Sequence, residues 1–201
     1  NPLARIVVAP SDHLILNGPA FVETIQLAFE QAERGNLVTL GIKPTRPDTG
    51  YGYIQWEEEK AAHHERVKRV KTFTEKPDLE LAKDFLASGD FSWNSGIFIW
   101  RVESILASFE SFLPEMNKAF AEGAELYGTD KEQAFINKMY AACDNISIDY
   151  GIMELDRDDT NAVSEMLAFA WDLETNTKSR MTFLVPHRRD TRSGPKMLTD
   201  M

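Results

Sequence analysis

A single cysteine, Cys143, rules out an intrachain disulfide, so the fold must rest on its core. Nothing in the sequence points to an oxidising compartment, and a cytoplasmic location is the expectation. No apolar run approaches the roughly 18 residues that cross a bilayer, so no membrane association is expected. Basic residues are in deficit. Lys and Arg number 22 against 32 Asp and Glu, a net charge of -10. A nucleic-acid surface needs the opposite balance to displace counterions, so nucleic acid is not an expected partner. A nucleotide is still allowed, because it needs only a local cationic pocket. Internal repeats are absent. The first residues, Asn1-Pro2-Leu3-Ala4-Arg5, contain neither a starting methionine nor a signal peptide, and read as a cut through a longer chain.

What is present is ordinary for a soluble domain with a real core: 201 residues, 43% hydrophobic and 27% charged. Arg5 to Ala9 reads as a short buried strand. A helix follows, opened by Gly18-Pro19, with Phe21, Ile25, Ala28, Phe29 and Ala32 on one face and Gly35-Asn36 at its end. Leu37 to Ile42 is an apolar strand. Strand, helix and strand predict a βαβ unit, hence a parallel pair. Val67 to Thr74 is a further strand, and Asp78 caps a helix from Leu79 to Ala87. Ile97 to Trp100 is a strand apolar on both faces, with Phe91 to Gly96 leading into it. Helices are predicted over Glu103 to Phe112, Pro114 to Leu126 and Glu132 to Ala142, the last capped by Asp130.

Several polar residues fall at strand ends, where open α/β sheets place their ligands. Asp12 follows the first strand. Its carboxylate suits Mg²⁺, which takes one or two carboxylates plus phosphate oxygens, or it serves as a turn residue. His13 beside it has no evident second ligand. The stretch Gly41 to Ile54, GIKPTRPDTGYGYI, carries Lys43 and Arg46 on a proline-stiffened loop. Its Gly50 and Gly52 allow close approach to another object, or simply a turn. Glu75 and Lys76 stand side by side where a strand stops. The carboxylate suits sugar hydroxyls and the ammonium suits a phosphate, or the two form a surface pair. Asn94 offers both donor and acceptor to a hydroxyl, or caps a turn. Asp149 caps a short helix, with Ile148 and Ile152 as a hydrophobic staple. His63 and His64 are adjacent, so their side chains diverge and they read as solvated. Beyond Glu154 the patterning weakens, so residues 155–201 read as a divergent tail, either loosely ordered or out of frame, after a main unit of residues 1–154.

Four segments together, VAPSDHLI, GIKPTRPDTGYGYI, the pair FTEKP and WNSGIFIW, and ISIDYGIME, resemble the mannose-1-phosphate guanylyltransferases, also called GDP-mannose pyrophosphorylases. The resemblance runs from about Ile6 to Glu154. It implies an α/β nucleotide-diphospho-sugar transferase fold, a Rossmann-like sandwich with a mostly parallel sheet, incomplete here at the N-terminus. It implies transfer of a nucleotidyl group from GTP to mannose 1-phosphate with Mg²⁺, giving GDP-mannose and pyrophosphate. By resemblance Asp12 is a metal ligand and a catalytic residue, and Lys76 is the catalytic cation beside the phosphate. Gly52, Glu75, Asn94 and Asp149 line the sugar. The family's second metal aspartate has its nearest counterpart in Asp172, within the altered string Trp171-Asp172-Leu173-Glu174-Thr175. The family's glycine-rich nucleotide loop has no counterpart in this sequence. The expectation is therefore a sugar-phosphate half-site, inactive alone. The alternatives are a non-catalytic remnant or regulatory subunit that pairs with a complete enzyme, or a sister enzyme for another hexose 1-phosphate. As partners, mannose 1-phosphate and GTP are expected, and a homo-oligomer is allowed.

Overall fold

The computed structural model describes residues 1–60, 66–154 and 166–171. In chain order the elements are β1 (Arg5–Val8), α1 (Gly18–Ala32), β2 (Leu37–Ile42), β3 (Tyr53–Lys60), β4 (Val67–Thr74), α2 (Leu79–Ser88) and β5 (Phe91–Arg101). Then come α3 (Val102–Phe112), α4 (Pro114–Ala121), α5 (Glu132–Ala142), a π-helical turn (Asp149–Met153) and β6 (Met166–Trp171).

The long strand β5 organises the sheet. Along one edge it pairs with β2, from Val38↔Ile99 to Ile42↔Trp93. Its other edge is shared end to end by β1, at Val8↔Phe98, and β3, at Tyr53↔Trp93. β4 pairs with β3, and β6 lies between β2 and β4.

The α/β class expected from the sequence is observed, but the expected mostly parallel sheet is not. Among the described strands only β2 and β6 pair in parallel; the other pairings are antiparallel. β1 and β2 do run in the same direction, as a βαβ unit requires. β5 is inserted between them and runs against both, so the two are not neighbours.

Alternation along β2 feeds three buried clusters, of which Ile42, Tyr53, Ala82 and Trp93 form one. On β2, Val38 and Leu40 turn toward α1, where they meet Ala28, Ala32, Ile97 and Ile99. Leu37 turns to the opposite face, with Phe98, Trp100, Ile105 of α3, and Ile152 and Met153 of the π-helical turn. Helical elements thus cover both faces of a mixed sheet. Leu37, Leu40, Ile54, Ile97, Ile99 and Ile152 are all essentially inaccessible. Each such side chain contributes about 1.5–3 kcal/mol relative to exposure.

Several local expectations are met. Asp78 accepts from the Leu81 amide at 2.9 Å and caps α2, which ends at Gly89 with φ 79°. Asn17, unremarked in the sequence, caps α1 by accepting from the Ala20 amide at 3.1 Å. Other expectations are corrected. Asp130 does not cap α5: the helix starts after Lys131, and Glu132 folds back to accept from the Gly128 amide at 2.7 Å. α4 stops at Ala121, short of Leu126. Phe91 to Gly96 is not a lead-in but the first half of β5. Met166–Trp171 forms β6 within the sheet, although its sequence showed little periodicity, because it is paired on both edges by β2 and β4. Among the described residues no helix is long and apolar enough to cross a membrane.

Candidate functional site

The carboxyl ends of β2 and β4 meet at one level of the sheet. Ile42 pairs with Trp93, Trp93 with Tyr53, and Tyr53 with Thr74. β1 points toward the same region. It leaves the sheet after Val8↔Phe98, and the Pro10 ring lies 3.4 Å from where a Cβ on Gly96 would stand. Each of these strand ends is followed by one of the loops singled out in the sequence.

Four of the candidate residues are brought together here. Asn94 is the hub. Its backbone amide donates to the Gly52 carbonyl at 2.7 Å. Its side-chain oxygen accepts from the Thr39 hydroxyl at 3.0 Å and from the Gly96 amide at 3.1 Å. Its side-chain nitrogen donates to Asp149 Oδ1 at 2.9 Å. Gly52 lies flat against the next member of the group, since a Cβ there would fall 2.2 Å from Glu75 Oε2 and 3.4 Å from Asn94 Cβ. The Glu75 amide donates to Glu154 Oε1 at 3.1 Å, which ties the end of β4 to the chain just after the π-helical turn.

The β2–β5 register slips between Thr39 and Gly41, and Gly96 takes φ 69° in the irregular stretch. Such bulges redirect side chains, and the left-handed value is one that glycine adopts without steric cost. Asp149 does not cap the turn, contrary to the sequence expectation. It is the first residue of the π-helical turn, and its carboxylate is engaged by Asn94 instead.

Lys76 is ion-paired with Glu75. The Glu75 side chain is only 6% exposed, whereas Lys76 is 57% exposed, so the carboxylate is the fixed member and the ammonium the movable one. The hydrogen bond to Glu75 holds the Lys76 ammonium above its ordinary pKa against partial desolvation, and the charges of Glu75, Tyr150 and Asp149 add to the effect. Lys76 also stands in the left-handed region at φ 46°, directly before Pro77. A non-glycine residue there carries strain that surrounding contacts must hold, a pattern concentrated at functional sites.

The loop of the GIKPTRPDTGYGYI stretch is internally braced. Asp48 accepts from the Gly50 amide at 2.9 Å and pairs with Arg46 at 2.6 Å, while its own amide donates to the Tyr53 hydroxyl at 2.9 Å. Arg46 lies over the Trp93 ring at 5.2 Å, and Tyr51 packs on the same ring at 5.0 Å. Burial pushes the Tyr51 phenol above its ordinary pKa, helped by Asp48 and opposed by Arg46. Part of the loop's positive charge is therefore neutralised by its own aspartate. Asp48, like Thr39 and Glu154, was not among the residues singled out in the sequence. Its signal was the Asp-Thr-Gly turn pattern.

Asp12 is exposed on the loop after β1. Among the described residues it makes no hydrogen bond or ion pair with the four clustered residues, and no group of three or more His, Cys, Asp or Glu converges on one point. A lone carboxylate still fits Mg²⁺, which commonly binds through one or two carboxylates and the phosphates of its substrate. Asp172, His63 and His64 lie outside the described residues.

The nucleotidyl transferase family profile matches residues 2–172. The chain belongs to this family. The match continues past Glu154, where the motif resemblance stops, and takes in β6. The chain is 41% identical over 150 residues to the xanthan biosynthesis protein XanB of Xanthomonas campestris pv. campestris, covering 74% of this chain and 31% of that protein. It is 36% identical over 174 residues to a mannose-1-phosphate guanylyltransferase of Escherichia coli, covering 86% and 36%. It therefore spans about a third of the length of the curated relatives it matches. Among solved structures, a mannose-1-phosphate geranyltransferase from Thermus thermophilus superposes with TM-score 0.66 at 31% identity, over 83% of this chain and 44% of that one. A mannose-6-phosphate isomerase from Helicobacter pylori gives TM-score 0.66 at 26% identity, over 85% and 63%.

Proposed function

We propose that this nucleotidyl transferase chain carries the sugar-phosphate side of a mannose-1-phosphate guanylyltransferase site. The reaction is transfer of a guanylyl group from GTP to mannose 1-phosphate, with release of pyrophosphate. The observation that carries the proposal is the convergence of Gly52, Glu75, Asn94 and Asp149 through direct contacts among segments far apart in sequence.

The chemistry of the group suits a sugar. The remaining Asn94 side-chain N–H donates, while Glu75 and Asp149 keep oxygens that accept, so neighbouring hydroxyls find partners of both kinds. Gly52 allows the ligand and the Glu75 carboxylate to approach the backbone. Lys76, exposed and movable, is the group that meets the phosphate. Its charge offsets the negative charge that gathers on the phosphoryl oxygens during transfer. Mg²⁺ would be held by Asp12 together with substrate phosphate, and when bound it supplies further charge neutralisation there.

On this reading the 201-residue chain binds mannose 1-phosphate and alone makes little or no GDP-mannose. Isothermal titration tests the first part. Mannose 1-phosphate should bind the chain, and Glu75→Ala should reduce the affinity at least tenfold. Equal binding by Glu75→Ala sinks the site assignment, and preference for another hexose 1-phosphate replaces the substrate. Pyrophosphate release from GTP and mannose 1-phosphate with Mg²⁺ tests the second part. Turnover at an ordinary enzymatic rate by this chain alone refutes the half-site reading.

A further inference from the structure

The side-chain amide of Asn94 is held in one orientation by two groups that lie outside the proposed ligand contacts. We infer that Thr39 is a positioning residue that makes Asn94 a pure hydrogen-bond donor toward whatever occupies the site.

Gly96 identifies which side-chain atom of Asn94 is the oxygen. Its backbone N–H can only donate, and it donates to the Asn94 side chain at 3.1 Å, so the atom it meets must be the amide oxygen. The Thr39 hydroxyl faces the same oxygen at 3.0 Å and the Ile97 carbonyl at 3.3 Å. A hydroxyl has one proton. If it went to Ile97, two oxygens would face each other at 3.0 Å with no proton between them. Giving it to Asn94 leaves the unprotonated pair, Thr39 and Ile97, the farther apart at 3.3 Å, so the shorter contact to Asn94 takes the proton. Thr39 is fully buried, so water cannot take its place.

Two donors fill both lone pairs of the Asn94 oxygen. The nitrogen is turned the other way and spends one of its two protons on Asp149. The second proton is what remains for a ligand. Without the hydroxyl, the amide oxygen keeps one anchor of two, and the donor toward the ligand is less well aimed. Thr39 acts through Asn94 and touches no ligand itself.

The test uses the 201-residue chain and two readouts. The first is spectroscopic and independent of ligand: the side-chain NH₂ resonances of Asn94. The second is calorimetric affinity for mannose 1-phosphate, and this arm alone rests on the function proposed above. Thr39→Val keeps the shape and removes the hydroxyl. It should shift the Asn94 NH₂ resonances and weaken binding on the order of fivefold, the value of one neutral hydrogen bond. Thr39→Ser, which restores the hydroxyl, should recover most of both. A folded Thr39→Val chain with unchanged Asn94 NH₂ resonances overturns the inference. Shifted resonances in a chain that never binds mannose 1-phosphate support the positioning role and remove the sugar-phosphate reading instead. If Thr39→Val does not fold, the unsubstituted chain decides. A strong nuclear Overhauser contact between the Asn94 NH₂ and the Gly96 amide proton means the amide is turned the other way and overturns the inference. Absence of that contact, with one to the Asp149 side chain, supports it.

Discussion

Gly52 and the Glu75 carboxylate share a space in which a methyl group has no room, since a Cβ on residue 52 would lie 2.2 Å from Oε2. The backbone at Gly52 is not left-handed, so alanine meets no conformational barrier there and the whole penalty is steric. We expect Gly52→Ala to push Glu75 aside and cost about 1–3 kcal/mol of stability, the range for overpacking a buried position. Sugar-phosphate affinity should fall at least tenfold. Urea denaturation and titration calorimetry measure the two effects, and a variant as stable and as tight-binding as the parent contradicts the contact.

The Asn94–Asp149 hydrogen bond leads to a second expectation. Asn94→Asp replaces a donor with an acceptor and sets two carboxylates face to face. They can remain adjacent only if a proton is shared between them. Such a pair binds more protons folded than unfolded in the carboxylate range. The variant's stability deficit should thus be largest at neutral pH and shrink as pH falls below about 5. A deficit that does not change with pH would show that the two side chains part without cost.

Glu154 was not singled out by any site expectation, yet it accepts from the Glu75 amide. Hydrogen bonds to charged groups contribute about 1.5–3 kcal/mol, so Glu154→Ala should lower stability by an amount of that order. It should also weaken sugar-phosphate binding by releasing the end of β4. Glu154→Gln keeps an acceptor oxygen and should retain more of both than the alanine variant. Equal losses in the two variants would rule out the hydrogen bond as the cause.

The Lys76–Glu75 pair gives an alkaline signature. The Lys76 pKa is raised on folding, so its contribution to stability is fully present below the ordinary lysine pKa. That contribution is lost as pH rises through the folded value. Denaturation followed from neutral pH into this alkaline window should show the loss in the parent chain. In Glu75→Gln the loss should be much smaller, because the first cause of the shift is gone. An identical alkaline profile in the two chains excludes the pair as its source.

The sequence displayed some of this architecture and hid the rest for identifiable reasons. β2, β4 and α5 were bounded residue by residue, because each is a patterned run between clear punctuation. α2 was bounded to within one residue by Asp78 and Gly89. The first half of β5 was missed because Ser92, Asn94 and Ser95 look like loop residues. Ser92 and Ser95 are in fact buried, and Asn94 is satisfied by Thr39 and Asp149, each 55 positions away along the chain. Partners that distant leave no local trace. The same distance misled the reading of Asp149, whose neighbours suggested a cap while its real partner sat on β5. The sheet's mixed character was hidden likewise, since the βαβ pattern records the direction of β1 and β2 but not the strand that comes between them. The motif resemblance, by contrast, named Gly52, Glu75, Asn94 and Asp149 as sugar-side residues before any geometry was known.

The bonds that converge on Asn94 also bear on how the chain folds. They join β2, β5 and the π-helical turn, so no local segment can assemble the site by itself. Contacts of such long sequence separation are slow to form, because their loop-closure entropy is spent before they return anything. The donor–acceptor arrangement around Asn94 thus comes into being only when these segments have all docked. A ligand that recognises this arrangement binds the folded chain and not the unfolded one, and its stabilisation grows with the logarithm of ligand concentration above Kd. If the proposed site holds, ligand binding at Asn94 is also a readout of completed folding.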